Sequence, residues 1–415
     1  MSVRLTSLLC FALAFSIHLS SQEPGNVREL ETSAKERLAA HDAAGALATY
    51  ERLAELAPNS AAYQDQVGFL LAATNRSAEA IAHFQRATNL DPKMAQAWFH
   101  LGVALWLGKK SDPALRALQK AVALAPDNGE FLYRLGSALN DTGRYAEAVP
   151  ELARAAHQLP SNAAVWEALA SAYERQSLFK QACDAYRHAV PLDPQNMAVR
   201  NNYGSALVRS GNPAAGLREF RRVLQYDPDN VRVQVNLGYA YIAAGDFQAA
   251  IKHLTSVTQN HPEDAGAHYD LGVGYKSIDD LTNARAELER AVNLDPGLTE
   301  AHYTLALTYI DAGSADKAIE QLRMAVTQRS NYVEAWYILG TTLKQEGDVN
   351  GAIDALNHSV ALDGQNAPAW NNLGLLLRRK GDAAGAQDAF AKAAAIREAE
   401  EREKEKHLQQ VPQHP

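Results

Sequence analysis

The residues with the widest chemical range in this chain of 415 are thirteen histidines, two cysteines and the carboxylates that bring the net charge to −8. Whether they do chemistry depends on recurrence at ligand or catalytic spacing. His268 and His302 come nearest, since each precedes a tyrosine and the two stand 34 residues apart. Two imidazoles could start a zinc site, but such a site needs three or four ligands and no third donor falls in the same register. Cys10 lies in an apolar N-terminal run, which leaves Cys183 alone, and a lone thiol is expected to pack rather than react. No HExxH, phosphate-binding loop, nucleophile elbow or paired-cysteine pattern occurs. The Asn75, Asn140 and Asn357 sequons are short enough to arise by chance. The chain is therefore expected not to be an enzyme, and to hold no metal and no cofactor.

The interval between the two histidines belongs to the whole chain. From Ala95 to Asn128, Trp98, Leu101, Gly102, Leu105, Ala114, Leu118 and Ala121 recur at spacings of three, four and seven, which predicts two amphipathic helices. In the GKKSDP segment between them, Gly108 can close the first helix and Ser111 or Asp112 can cap the second. Pro113 suits the first turn, where its missing N–H would have had no partner. Steps of 34 from Pro58 reach Pro92, Pro126, Pro160, Pro194, Pro228, Pro262 and Pro296, then Ser330 and Gly364, without insertion or deletion. Eleven windows begin at Val27, Ala61, Ala95, Gly129, Ala163, Met197, Val231, Ala265, Thr299, Val333 and Ala367 and end at Glu400. With Ala95 as position 1, position 8 is Gly or Ala throughout, position 20 is Ala except at Gly216, and position 24 is always large and apolar. Small residues held at fixed places predict helices that approach closely. Position 4 carries Trp98, Trp166, Trp336 and Trp370, so His268 and His302, which share it, are expected to pack between helices. Pro150, at position 22, predicts a kink or a delayed start in its helix, whereas Pro213 and Pro368 read as first-turn prolines.

Trp98, Leu101, Gly102, Ala114, Leu118, Ala121 and Pro126 follow the W-x-x-L-G…A…F…A…P spacing, and on these residues the chain resembles the tetratricopeptide repeat family over about nine tenths of its length. The resemblance implies an all-α fold, a right-handed α-α superhelix (solenoid) of about eleven 34-residue helix hairpins. It also implies a scaffold without chemistry of its own, binding a partner protein as an extended peptide or helix in a concave groove. First helices would line that groove with positions 2, 5, 9, 12 and 13. These positions hold Phe69, Phe99, Val103, Trp106, Leu107 and Tyr133, then Tyr239, Ile242, Tyr269, Tyr303 and Tyr337, with Lys276 and Lys344 nearby. Aromatic side chains bury large areas at small entropic cost, so Phe69, Phe99, Trp106, Tyr133, Tyr239, Tyr269, Tyr303 and Tyr337 are candidate peptide contacts. The competing expectation is that the next repeat covers them. The clamp that co-chaperones of this family close on an acidic tail needs Lys at position 5 with Asn at position 9, a pairing absent here. Asn202 and Asn236, at position 6, resemble two rungs of the asparagine ladder of O-linked N-acetylglucosamine transferases, which implies a grip on a peptide backbone; Asp270, Thr304 and Ile338 interrupt the row.

Residues 1–21 carry one charge, Arg4, ahead of an apolar run from Leu8 to Leu19, and resemble a secretory signal peptide followed by a linker at 22–26. The run is short of the roughly 20 apolar residues that span a membrane. Membrane contact is expected only through an uncleaved leader, and the localisation is expected to be periplasmic or secreted. The solenoid is placed at 27–400 and a charged helical extension with a frayed tail at 401–415, where Glu398 with Arg402 and Glu400 with Lys404 form pairs four apart. The acidic balance argues against nucleic acid as a partner. The alternative to a peptide scaffold is a structural component making homotypic contacts through its ends or convex face, as a weak homo-oligomer.

Overall fold

The computed structural model describes residues 25–410, so the leader, its cleavage point and the last five residues lie outside the described residues. The described residues form twenty-two helices and no strand. First helices start at Ala61, Ala95, Gly129, Ala163, Met197, Val231, Ala265, Thr299, Val333 and Ala367, and the opening helix starts at Gly25. The chain divides into two compact units between Ser210 and Gly211, so repeat 6 has its first helix (Met197–Arg209) in one unit and its second (Pro213–Tyr226) in the other. Within each unit the packing is local. A second helix packs on the first helix of its own repeat and on that of the next, as expected of a stack in which no hairpin can bury its apolar face alone. Among the described residues no helix is long and apolar enough to cross a membrane.

The turn inside each hairpin depends on position 15, which has a left-handed backbone in all eleven repeats. Six of these residues are glycine, with φ of 71 to 89°, and five are His41, Asn75, Lys109, Ser177 and Asp279, with φ of 59 to 63°. Gly108 does end the helix Ala95–Leu107, but at φ −77°, and Lys109 makes the reversal. The reversal puts position 16 at the N-cap of the second helix. Ser111 is therefore the first helical residue and neither it nor Asp112 caps; Lys110 stands at the cap without a side-chain bond. Where position 16 is acidic or an amide, as at Asp42, Asn212, Asp246, Asp280 and Asp348, its side chain accepts from the backbone N–H three residues on.

Pro150 does not delay its helix, Tyr145–Gln158, which starts at the same place in the repeat as the others. Both Pro150 and Ala146, whose carbonyl loses its helical partner, are exposed, so water can take the missing bond. Pro213 and Pro368 occupy first turns. The last helix, Ala383–Gln410, continues through the charged run, where the Arg402 guanidinium donates to the Glu398 backbone carbonyl rather than to its carboxylate.

Position 8 meets position 24 of the same repeat. A Cβ added to Gly238 would lie 2.4 Å from Leu254, and one added to Gly136 would lie 2.5 Å from Leu152. Both leucines are fully buried. The two helices of a hairpin thus approach to a distance that leaves room for no side chain at these glycines.

Candidate functional site

Position 4 fastens seven of the repeats to the one before. The indole N–H groups of Trp98, Trp166, Trp336 and Trp370 donate to the carbonyls of Pro92, Pro160, Ser330 and Gly364 at 2.8–3.0 Å. Gln234 does the same with its amide to Pro228 at 2.6 Å. His268 and His302 use Nε2 in that role, to Pro262 at 3.1 Å and Pro296 at 3.0 Å. Their Nδ1 atoms lie 2.5 Å from Glu287 Oε2 and 2.7 Å from Gln321 Oε1. Both rings are buried, and both nitrogens of each lie within hydrogen-bond distance of a protein oxygen. No group of three His, Cys, Asp or Glu among the described residues is arranged to hold a metal ion. Cys183 is buried with its thiol directed at Ser210 Oγ, 3.6 Å away, and burial pushes its pKa up, away from a reactive thiolate.

The first unit carries the apolar candidates on the helices Ala61–Ala73, Ala95–Leu107 and Gly129–Asp141. Phe99 is removed from the surface. It is 6% exposed and stacks on Phe131 of the next repeat with ring centroids 4.5 Å apart, so its area is spent on packing. Phe69, Val103, Trp106 and Tyr133 are half-buried, and Leu107 is 72% exposed. Beneath them lies a buried polar pair with no counterpart in the sequence reading. His100 donates Nδ1–H to Asp65 at 2.8 Å, Gln96 lies 2.8 Å from its Nε2, and the rings of Phe69, Phe84 and Phe99 sit 5.4–5.9 Å from the imidazole. The available signal was an aspartate at position 5 and a histidine at position 6 of the next repeat, among aromatic residues.

Asn202, also in the first unit, is exposed, but its amide is bonded to the Tyr186 hydroxyl, and Asn201 donates to its Oδ1 at 3.4 Å. Asn236 is half-buried in the second unit.

The second unit carries the tyrosine row. Tyr239 is 45% exposed, while Tyr269, Tyr303 and Tyr337 are half-buried. Tyr269 bonds Thr304 through its hydroxyl, and burial raises its pKa. Tyr303 lies 4.9 Å, ring to ring, from Tyr332, whose pKa burial and the neighbouring phenol push up to about 12. The lysines expected near the row are engaged: Lys276 with Asp311 and Lys344 with the Asn372 amide. Asp270 is the other buried group on this face, 8% exposed.

Sequence profiles of tetratricopeptide repeats match residues 68–108, 109–172, 235–299, 279–340 and 339–401, and the profile described as the cytochrome c-type biogenesis protein H TPR domain matches 152–266. With the hairpin stack, these matches place the chain in the tetratricopeptide repeat family, whose members are generally non-catalytic scaffolds for protein interaction. No curated protein matches the chain. Among solved structures, a tetratricopeptide repeat protein from Parabacteroides merdae is 15% identical, with a TM-score of 0.53 over 60% of this chain and 98% of its own. A crystal structure of MamA is 26% identical, with a TM-score of 0.38 over 40% of this chain and 97% of its own. The structure of Naa15/Naa10 bound to HypK-THB gives 15% identity and a TM-score of 0.44 over 89% of this chain and 64% of that chain.

Proposed function

We propose that the chain is a secreted or periplasmic scaffold that holds an extended segment or helix of a partner protein on the face formed by its first helices. The observation that carries this reading is the side chains that stacking does not consume. Leu107, at 72% exposed, is left uncovered by the stack, and beside it Trp106 packs on the core with one side and, like Val103, is only half-buried. Burial of such area by a partner is favourable, and a rigid helical stack presents it without an ordering cost.

The test is co-purification from the native host with cross-link mapping, comparing wild type with Trp106→Ser/Leu107→Ser. The variant is expected to keep its helical circular dichroism and lose the partner; retained capture would rule the patch out. The mass of the mature protein tests the leader, since a periplasmic or secreted chain should lack about its first 21 residues.

A second reading, homotypic assembly, draws on the exposed Leu56, Leu90, Leu192, Tyr226, Leu294 and Leu362, which recur at position 30 of their repeats. Sedimentation decides it, because a strict monomer at high concentration excludes it.

A further inference from the structure

Asp270 lies on the first helix of repeat 8, Ala265–Lys276, at the repeat position held by Asn236 and Thr304 in the repeats on either side. It is 8% exposed, yet among the described residues no donor bonds its carboxylate and no cation faces it. Lys276, on the same helix, is taken by Asp311 of the next repeat, and the charge that does act on Asp270 is another carboxylate, Asp264. Burial, with the Asp264 charge adding to it, pushes the Asp270 pKa up to about 7. The more deeply buried Asp65, by contrast, has His100 as its partner. A buried carboxylate without a partner is costly, and a stack of idealised hairpins has no need of one. The Asp270 oxygens are not fully sealed from solvent. Tyr269 is adjacent, within electrostatic reach of both Asp270 and Tyr239, and Tyr239 is 45% exposed.

We infer that Asp270, with Tyr269 and Tyr239, forms a subsite for one basic side chain, lysine or arginine, of the peptide segment proposed above. The inference rests on that proposal and gives its ligand a chemistry. A carboxylate supplies charge-assisted hydrogen bonds and tyrosine faces attract a cation, both more strongly where water is partly excluded. Geometry sets the rest of the motif. Packed helix axes lie about 8–10 Å apart, and an extended chain advances about 3.3–3.6 Å per residue, so about two to three peptide residues pass each repeat. The basic residue should therefore have apolar or aromatic residues about two to three positions to each side, where they meet the first helices of the flanking repeats.

The probe is a phage-displayed library of random dodecapeptides selected on the full chain at near-physiological salt. Selected peptides should share a lysine or arginine with apolar residues about two to three positions away. Synthetic versions should bind Asp270→Asn at least about tenfold more weakly, while Glu263→Gln, at an exposed carboxylate, leaves binding unchanged. The thermal midpoint of free Asp270→Asn at pH 8 should equal or exceed that of wild type; a lower midpoint would reveal a structural partner and overturn the inference. Peptides selected without a basic residue, or bound equally by Asp270→Asn, overturn the subsite and leave the scaffold reading standing. A library that yields no binding peptide overturns both.

Discussion

A carboxylate that ionises near neutral pH in the folded chain makes stability depend on pH. Asp270 has its pKa raised from 3.8 to about 7. Between those values the unfolded chain is ionised at this residue and the folded chain holds the proton. Its contribution to stability is therefore complete below about pH 4 and is lost as pH rises through about 7. The groups coupled to it are Asp264 and Tyr269, with Tyr239 reaching Tyr269 and Lys276 held by Asp311. Urea unfolding of wild type and Asp270→Asn from pH 5 to 8 should show the wild type losing up to about 1.4 kcal/mol per pH unit relative to the variant. Parallel profiles would mean that the carboxylate is solvated. The left-handed residues give a second expectation at this scale. Lys109→Gly and Ser177→Gly relieve a conformation that costs a side chain about 1–2 kcal/mol, and part of that gain returns as unfolded-state entropy. Each should raise stability by up to about 1 kcal/mol in denaturant melts, whereas Ala at Gly143 should lower it.

At the scale of the helix pair, the close approach of positions 8 and 24 sets how tightly a hairpin closes. Gly238→Ala drives a methyl to 2.4 Å from Leu254, and this overpacking should cost about 1–3 kcal/mol. Combining it with Leu254→Ala should recover part of the loss, so a double-mutant cycle should give a coupling well above the scatter of additive sites. Additivity would mean that the helices simply move apart. Between repeats, the position-4 donor is a fastening wherever the repeat carries one. Trp98→Phe keeps most of the ring area but leaves the Pro92 carbonyl to water, and should lower stability by about 0.5–1.5 kcal/mol in the same assay. A tryptophan, a histidine and a glutamine serve alike at this place because each carries an N–H at similar reach.

For the molecule as a whole, the packing links each helix only to those one or two places along the chain. Stability should then be close to a sum over repeats and their interfaces rather than one all-or-none quantity. A fragment of residues 25–196, five whole repeats, should keep its helical content and unfold cooperatively, at a lower denaturant midpoint than the full chain. An unstructured fragment would show that stability needs contacts the local pattern does not contain. The same modularity separates the two candidate faces: the apolar group around Trp106 and Leu107 belongs to the first unit and the tyrosine row with Asp270 to the second. Loss of binding at one should leave the fold of the other intact.

The all-α repeat fold, the repeat length and the need for close helix approach at position 8 were legible in the sequence, because each follows from local periodicity repeated without interruption. The cap at Ser111 and a delayed start at Pro150 were not what the chain adopts, since both depend on backbone conformation that a pattern of residue types does not carry. Which large side chains remain free was decided only by the tertiary structure. Phe99 and Trp106 stand on the same helix and share a repeat face, yet Phe131 from the next repeat covers the first ring. His268 read as packing from its shared position with tryptophan, while its hydrogen bond to Pro262 needed the preceding hairpin in place. Asp270 read as a break in a row of asparagines. Its burial without a donor is a property of three neighbouring repeats together, and no single window of sequence contains it.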